Sequence, residues 1–158
     1  MTTHTSIAII GATTPAGSFI LSSLSELVNT ILITAKDNEE HMAINNILNA
    51  IKPKAQVEVQ ACAREGCWES DIIFFADTPA NIEEISSHIK DVVTQKTVVT
   101  FLEDTGKLEQ LLPYSKIVKA QIKDKGFHLE SIHEDALEEV ESLFQAAGLG
   151  LPQNVIIH

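Results

Sequence analysis

With 158 residues, 44% of them hydrophobic, the chain has the length of one domain and the apolar content to bury a core, so a single domain over residues 1–158 is expected. The 22 acidic side chains against 11 basic ones leave a formal charge of -11, which repels a polyanion and offers no counterion release, so nucleic acid is not an expected partner. No apolar run approaches the roughly 20 residues that cross a bilayer, the stretch Met1 to Ser6 is polar rather than signal-like, and Cys62 and Cys67 fit neither a disulfide framework nor a zinc spacing; the expectation is a cytoplasmic protein without membrane or metal.

Ile7-Ala8-Ile9-Ile10 is a short apolar run that ends at Gly11, and Phe19, Ile20, Leu24, Leu27 and Val28 then recur every three or four residues, which predicts a strand, a turn and a helix. Thr30–Ala35 reads as a second strand. A helix follows from Asn38, with Ile44, Ile47, Leu48 and Ile51 on one face, and stops before Pro53. Val57–Cys62 is the third strand. Ser70–Ala76 contains Ile72-Ile73-Phe74-Phe75, apolar on both faces as a central parallel strand has to be, and the helix beyond Pro79 carries Ile82, Ile85, Ile89 and Val92. Thr97–Leu102 is a fifth strand, a short helical piece covers Leu108–Leu112, and Lys116–Ile122 is the sixth strand. Asp124-Lys125-Gly126 signals a turn, so Phe127–Ser131 should double back antiparallel. Ser131 and Glu134 have capping-box spacing before a helix lined by Leu137, Val140, Leu143, Phe144 and Ala147, with Gly148 as its stop, and Val155–Ile157 is a candidate edge strand.

This alternation predicts an α/β, doubly wound, mostly parallel sheet of the Rossmann type, with helices on both faces and an antiparallel edge strand. Such sheets bind ligands at the carboxyl ends of the strands, where the order reverses between strands one and four. Three segments should meet there: Gly11–Gly17, Thr34–Lys36 and Ala76–Pro79. The first, Gly11-Ala12-Thr13-Thr14-Pro15-Ala16-Gly17, stands where a glycine-rich turn aims helix N–H groups at a pyrophosphate. Thr14 replaces the middle glycine and puts a branched side chain where backbone would approach phosphate. Its hydroxyl is a candidate phosphate donor; alternatively, Thr14 is a helix N-cap and Pro15, which has no N–H, the first helical residue. Lys36 at the end of the second strand favours the 2′-phosphate of NADP over the 2′-OH of NAD, although Asp37 follows it.

Independent chemistry is sparse. The chain has no nucleophile elbow, P-loop lysine or defensible carboxylate pair, so no catalytic residue is named. Hydride transfer does not require one, because the cofactor carries the reaction. Glu103-Asp104 after the fifth strand lie at the ligand-facing edge, placed either to bind a polar group of a substrate or, the preferred reading, as solvated charges; Trp68 reads as a core residue rather than a surface contact, and His133 as a surface residue.

The chain resembles, over nearly its whole length, the NADP-binding domain of the deazaflavin-dependent NADP reductases, which are relatives in fold of the pyrroline-carboxylate reductases. Gly11-Ala12-Thr13-Thr14-Pro15-Ala16-Gly17 is similar to the family's Gly-Gly-Thr-Gly-x-x-Gly, and Thr34-Ala35-Lys36 to its Gly-Ser-Arg. Ala76-Asp77-Thr78-Pro79 echoes an Ala-x-Pro-like ending, and Pro113–Ala120 a run from proline into Val-Lys-Ala. The resemblance implies Thr13, Thr14, Pro15 and Ala16 at the pyrophosphate, between Gly11 and Gly17. It implies Ala35 and Lys36 at the 2′-phosphate, and Ala76, Thr78 and Pro79 along the adenine-ribose and nicotinamide side, with NADP as cofactor and NAD as the alternative. Two departures stand out: Gln121-Ile122 replace the family's Phe-Asn, with only a turn in place of a long segment, and the chain stops at His158 where the family continues into helices of the second-substrate pocket and dimer. Three expectations follow: an NADP-linked oxidoreductase-like domain, a non-catalytic dinucleotide-binding or sensor module, or a homo-oligomeric scaffold joined through the edge near Val155–Ile157.

Overall fold

The structure, a computed structural model, describes residues 3–78, 81–123, 126–149, 151–152 and 155–156; Pro79, Asp124, Lys125, Ile157 and His158 lie outside the described residues. In chain order the elements are β1 (Thr3–Ile10), α1 (Pro15–Leu24), β2 (Val28–Thr34), α2 (Asn38–Ile51), β3 (Gln56–Gln60), α3 (Ala63–Glu69), β4 (Ile72–Phe75) and α4 (Ile82–Ile89). There follow β5 (Thr97–Thr100), α5 (Gly106–Leu111), β6 (Lys116–Lys123), β7 (Gly126–Ser131), α6 (Glu134–Ala146), β8 (Leu151–Pro152) and β9 (Val155–Ile156).

They form one sheet in the order β3-β2-β1-β4-β5-β6-β7-β8, with β9 also on β7. The pairings from β3 through β6 are parallel, each reached by a helical crossover, and β7 turns back antiparallel on β6. This is the doubly wound α/β architecture that the alternation predicts. In register, Ile7 lies between Ile31 and Ile72, and Ile10 between Thr34 and Phe75. The chain winds outward from β1 through β2 to β3, then returns to build β4, β5 and β6 on the other side. That reversal opens a crevice above the carboxyl ends of β1 and β4.

Period-two alternation in β1 and β4 divides the core into two layers. Ile7, Ile9, Ile33 and Phe74 pack with Ile20 and Leu24 of α1, Ile44 of α2 and Phe144 of α6. Phe144 meets Phe127 edge-on, with ring centroids 5.2 Å apart. Ala8, Ile10, Ile73 and Phe75 face the other way, onto Cys67 of α3, Ile89 of α4 and Leu108 of α5. All four residues of β4 are buried, as expected of a strand covered by helices on both faces. Each fully buried Phe or Ile side chain contributes about 1.5–3 kcal/mol of hydrophobic stabilisation.

Several local expectations are corrected. α1 ends at Leu24, and Val28 opens β2, where it pairs with Thr3; the apolar spacing runs through the helix end and into the strand. The strands after Val57 and Thr97 stop at Gln60 and Thr100, short of Cys62 and Leu102. α3 has no counterpart in the apolar periodicity, because its buried residues are only Gly66 and Cys67. Trp68, on the far side of α3, is 69% exposed rather than packed in the core. The capping box at Ser131 does not form: the Ser131 hydroxyl donates to the Ile117 carbonyl at 2.7 Å and accepts from the His133 amide at 3.0 Å, and His133 occupies the N-cap without a side-chain cap bond. At the other end of α6, Gly148 takes φ +74° and donates to the Gln145 carbonyl, while Leu149 donates to Phe144, a Schellman closure.

Candidate functional site

The turn between β1 and α1 is shaped by close backbone packing. Gly11 has φ +85°, and a Cβ there would lie 2.7 Å from the Asp77 nitrogen, against the chain leaving β4. A Cβ on Gly17 would lie 2.0 Å from the Gly11 carbonyl oxygen, so no side chain fits between helix and strand end. Thr14 is the N-cap of α1: its hydroxyl accepts from the Gly17 amide at 3.1 Å, and Pro15 follows as the first helical residue. The same Oγ1 lies 2.7 Å from the Gly11 carbonyl and 2.9 Å from the Ala76 carbonyl. A hydroxyl has one proton to give, and both acceptors are backbone. The expectation that Thr14 donates to a phosphate is therefore corrected: its hydroxyl ties the turn to the end of β4. Thr13 is exposed, and the Ala16 amide has no acceptor among the described residues, which leaves one N–H at the positive end of α1.

Hollows open on both sides of this turn. One, of about 410 Å³, lies over the ends of β1, β2 and β4, and Gly11, Thr34, Lys36, Glu40, Arg64 and Asp77 are among its lining residues. The other, of about 490 Å³, lies beyond α1 over the ends of β5 and β6, lined by Pro15, Ala16, Phe19, Phe101, Glu103, Ala120 and Gln121. Thr13 and Lys36 also share a shallower depression with Asp37 and Glu39.

Lys36 is exposed, and its backbone amide donates to Glu40 Oε1 at 3.0 Å. Asp37 caps α2 by accepting from the Glu40 amide at 2.8 Å. The lysine thus stands at the mouth of the first hollow among three carboxylates. Ala35 is buried and donates its amide to Gln60, while Ala76 is buried with its amide on Ile10 and its carbonyl near Thr14; both lie beneath the hollow and not on its wall. Thr78 is exposed and Pro79 is outside the described residues. Asp77 accepts from the Thr78 amide and the Asn81 side chain, which fixes the chain where it passes Gly11.

The structure thus brings Gly11 and Lys36 onto one wall, Pro15 and Ala16 onto another, and Thr13 between them. Sequence reasoning missed the far wall of the first hollow, where Cys62 and Arg64 flank the start of α3 and His88 lies on α4. Arg64 is held by an ion pair with Asp91, which raises the guanidinium and keeps the Asp91 carboxyl below its ordinary range. Arginine after a strand was the available signal, hidden by the absence of helical periodicity around it. Glu103 and Asp104 are exposed, and Glu103 nonetheless lines the second hollow.

No protein-family model matches the chain, and no curated protein matches it in sequence. Solved structures do. A pyrroline-5-carboxylate reductase from Coxiella burnetii superposes with a TM-score of 0.75 at 19% identity, over 97% of this chain and 59% of that one. The chain has the Rossmann-type fold of these reductases. A Plasmodium falciparum pyrroline carboxylate reductase, solved with NADP bound, gives 0.72 at 13% identity over 98% and 59% of the two chains. Glycerol-3-phosphate dehydrogenase of Saccharomyces cerevisiae gives 0.66 at 11% over 98% and 56%. The chain therefore spans well under two thirds of each of these proteins. Among the described residues, no helix is long and apolar enough to cross a membrane.

Proposed function

We propose that the chain binds a nicotinamide dinucleotide across the β1–α1 turn, NADP in preference to NAD, and is the cofactor-binding domain of a cytoplasmic hydride-transferring oxidoreductase related to the deazaflavin-dependent NADP reductases and pyrroline-carboxylate reductases. The observation that carries this reading is the pair of hollows, about 410 and 490 Å³, separated by a glycine-flanked helix start with a spare amide. A dinucleotide is two nucleosides joined by a pyrophosphate, and this surface has the same two-lobed form. The adenosine half lies over β1 and β2 with its 2′-phosphate toward Lys36. The pyrophosphate rests against the Ala16 amide, and the nicotinamide reaches the hollow over β5 and β6. The Plasmodium falciparum reductase of the same fold, solved with NADP bound, supports a nicotinamide dinucleotide as the ligand.

The chemistry asked of the protein is orientation, since the cofactor supplies the hydride. Calorimetric titration with NADPH and NADH tests the proposal: saturable binding with NADPH the tighter ligand is expected, and no heat with either at millimolar concentration overturns it. A second reading, a sensor that binds without turning over, draws on Thr14, whose hydroxyl is committed to backbone carbonyls instead of a ligand. Cofactor oxidation in the presence of deazaflavin, flavin and small carbonyl acceptors separates the two, because steady turnover contradicts a sensor.

A further inference from the structure

The hollow beyond α1 differs from its neighbour in charge. Its walls are apolar and partly aromatic: Phe19, 41% exposed on α1, and Phe101, half-buried after β5, with Ala16 and Ala120. Among the described residues that line it, Glu103 is the one ionisable group, and Gln121 adds a neutral amide. The Leu102 amide donates to the Thr100 hydroxyl at 3.3 Å, which turns the chain at the end of β5 just before Glu103. On α5, Lys107 is held in an ion pair with Glu83 of α4 and is no counterweight to that carboxylate. With the Ala16 amide already given to the pyrophosphate in the dinucleotide reading, a further anion entering this space would meet the like charge of Glu103, in a chain whose formal charge is -11. A cation meets the opposite conditions: a carboxylate to pair with, and aromatic rings whose faces attract positive charge.

We propose that this hollow is the second-substrate subsite and that it takes a small monocation with a flat apolar body, such as an arylalkylammonium, while rejecting carboxylates and phosphates of the same shape. The inference rests on the dinucleotide reading for the word substrate, since it places the nicotinamide at this hollow. The selectivity itself rests on Glu103 and the two phenylalanines.

The test uses the whole chain, isotopically labelled, and two probes of matched shape, benzylammonium and benzoate, followed by the amide resonances of Ala16, Phe19 and Gln121. Benzylammonium is expected to shift these signals and to bind about tenfold more tightly than benzoate. Glu103→Gln should bring the two probes to within about threefold of each other. Glu69→Gln, which removes an exposed charge at the end of α3, should leave the preference intact. Benzoate binding as tightly as benzylammonium, a preference that survives Glu103→Gln, or no response to either probe overturns the inference. The same sample titrated with NADP is read at Gly11 and Lys36. A chain that ignores NADP but keeps the benzylammonium preference refutes the dinucleotide reading and leaves a cation-selective hollow. One that binds NADP but favours benzoate refutes the present inference alone.

Discussion

The turn after β1 and the end of β2 face the same hollow, yet they are built from different materials. At the turn, main chain meets main chain: a Cβ on Gly17 would stand 2.0 Å from the Gly11 carbonyl, Gly11 presses on Asp77, and Thr14 ties both to Ala76. At the end of β2, the working groups are side chains in contact with water, with Lys36 among Asp37, Glu39 and Glu40. The contrast teaches that, on the proposed dinucleotide reading, hold on a pyrophosphate would be a property of the backbone, inseparable from folding, whereas choice between dinucleotides would rest on replaceable surface charges.

The largest expected effect comes from attacking the turn. Gly17→Ala should lower unfolding free energy by about 3 kcal/mol, because backbone must move to admit the methyl group; urea denaturation reads it, and a change within experimental error would refute the packing argument. At the end of β2 the fold should survive while selectivity changes. Lys36→Glu is expected to weaken NADP by about 1–3 kcal/mol in calorimetry and to leave NAD little altered. Equal losses for both cofactors would remove Lys36 from the 2′-phosphate site. Glu40→Gln should move NADP affinity the other way, since a carboxylate beside that site is lost.

Thr14 joins the two kinds of behaviour. Thr14→Ala should cost about 1 kcal/mol of stability as the cap is lost, Thr14→Ser should retain most of it, and Thr14→Gly should lose only a few tenths while tightening dinucleotide binding by opening the approach to the amides. Denaturation and calorimetry on the three variants together check this, and a glycine variant that binds more weakly would contradict it.

The smallest effect concerns the thiols. Cys62 lines the first hollow and is exposed, so iodoacetamide should label it, and NADP should slow that labelling. Burial pushes the Cys67 thiol from its ordinary 9.0 up to about 12, and it should stay unlabelled in the folded chain at pH 8. Above pH 9 the unfolded chain releases a proton that the folded one keeps. The stability from a neutral Cys67 is therefore complete below pH 9 and falls as pH rises toward 12, a slope that Cys67→Ala should flatten.

Much of the fold was legible because buried parallel strands leave an unmistakable record. Ile72-Ile73-Phe74-Phe75 has to be covered on both faces, and Asp124-Lys125-Gly126 announces the hairpin that brings β7 back along β6. The two ends of the β1–α1 turn were legible for a related reason, since glycines at a strand-to-helix junction point to tight contacts. What escaped was decided by tertiary context. α3 shows no amphipathic period because Gly66, not a large apolar residue, meets the sheet, and so Arg64 was not placed beside the hollow. Trp68 carries the composition of a core residue, but α3 turns Gly66 and Cys67 toward the sheet and leaves Trp68 exposed. Thr14 reads equally well as ligand or cap from sequence. The Ala76 carbonyl that takes part in the decision is 62 positions away.

That separation also sets an order of assembly. The β6–β7 hairpin joins neighbouring stretches of chain and can zip early, whereas β1 gains β4 as a partner only after a loop of some 65 positions has closed. The turn hangs between those two late-meeting strands, with Gly11 against Asp77 and Thr14 against Ala76. Refolding followed by a ligand at this turn would consequently report the arrival of β4, lagging behind any probe placed in the hairpin, and a chain interrupted before Ala76 would have every residue of the turn without its geometry.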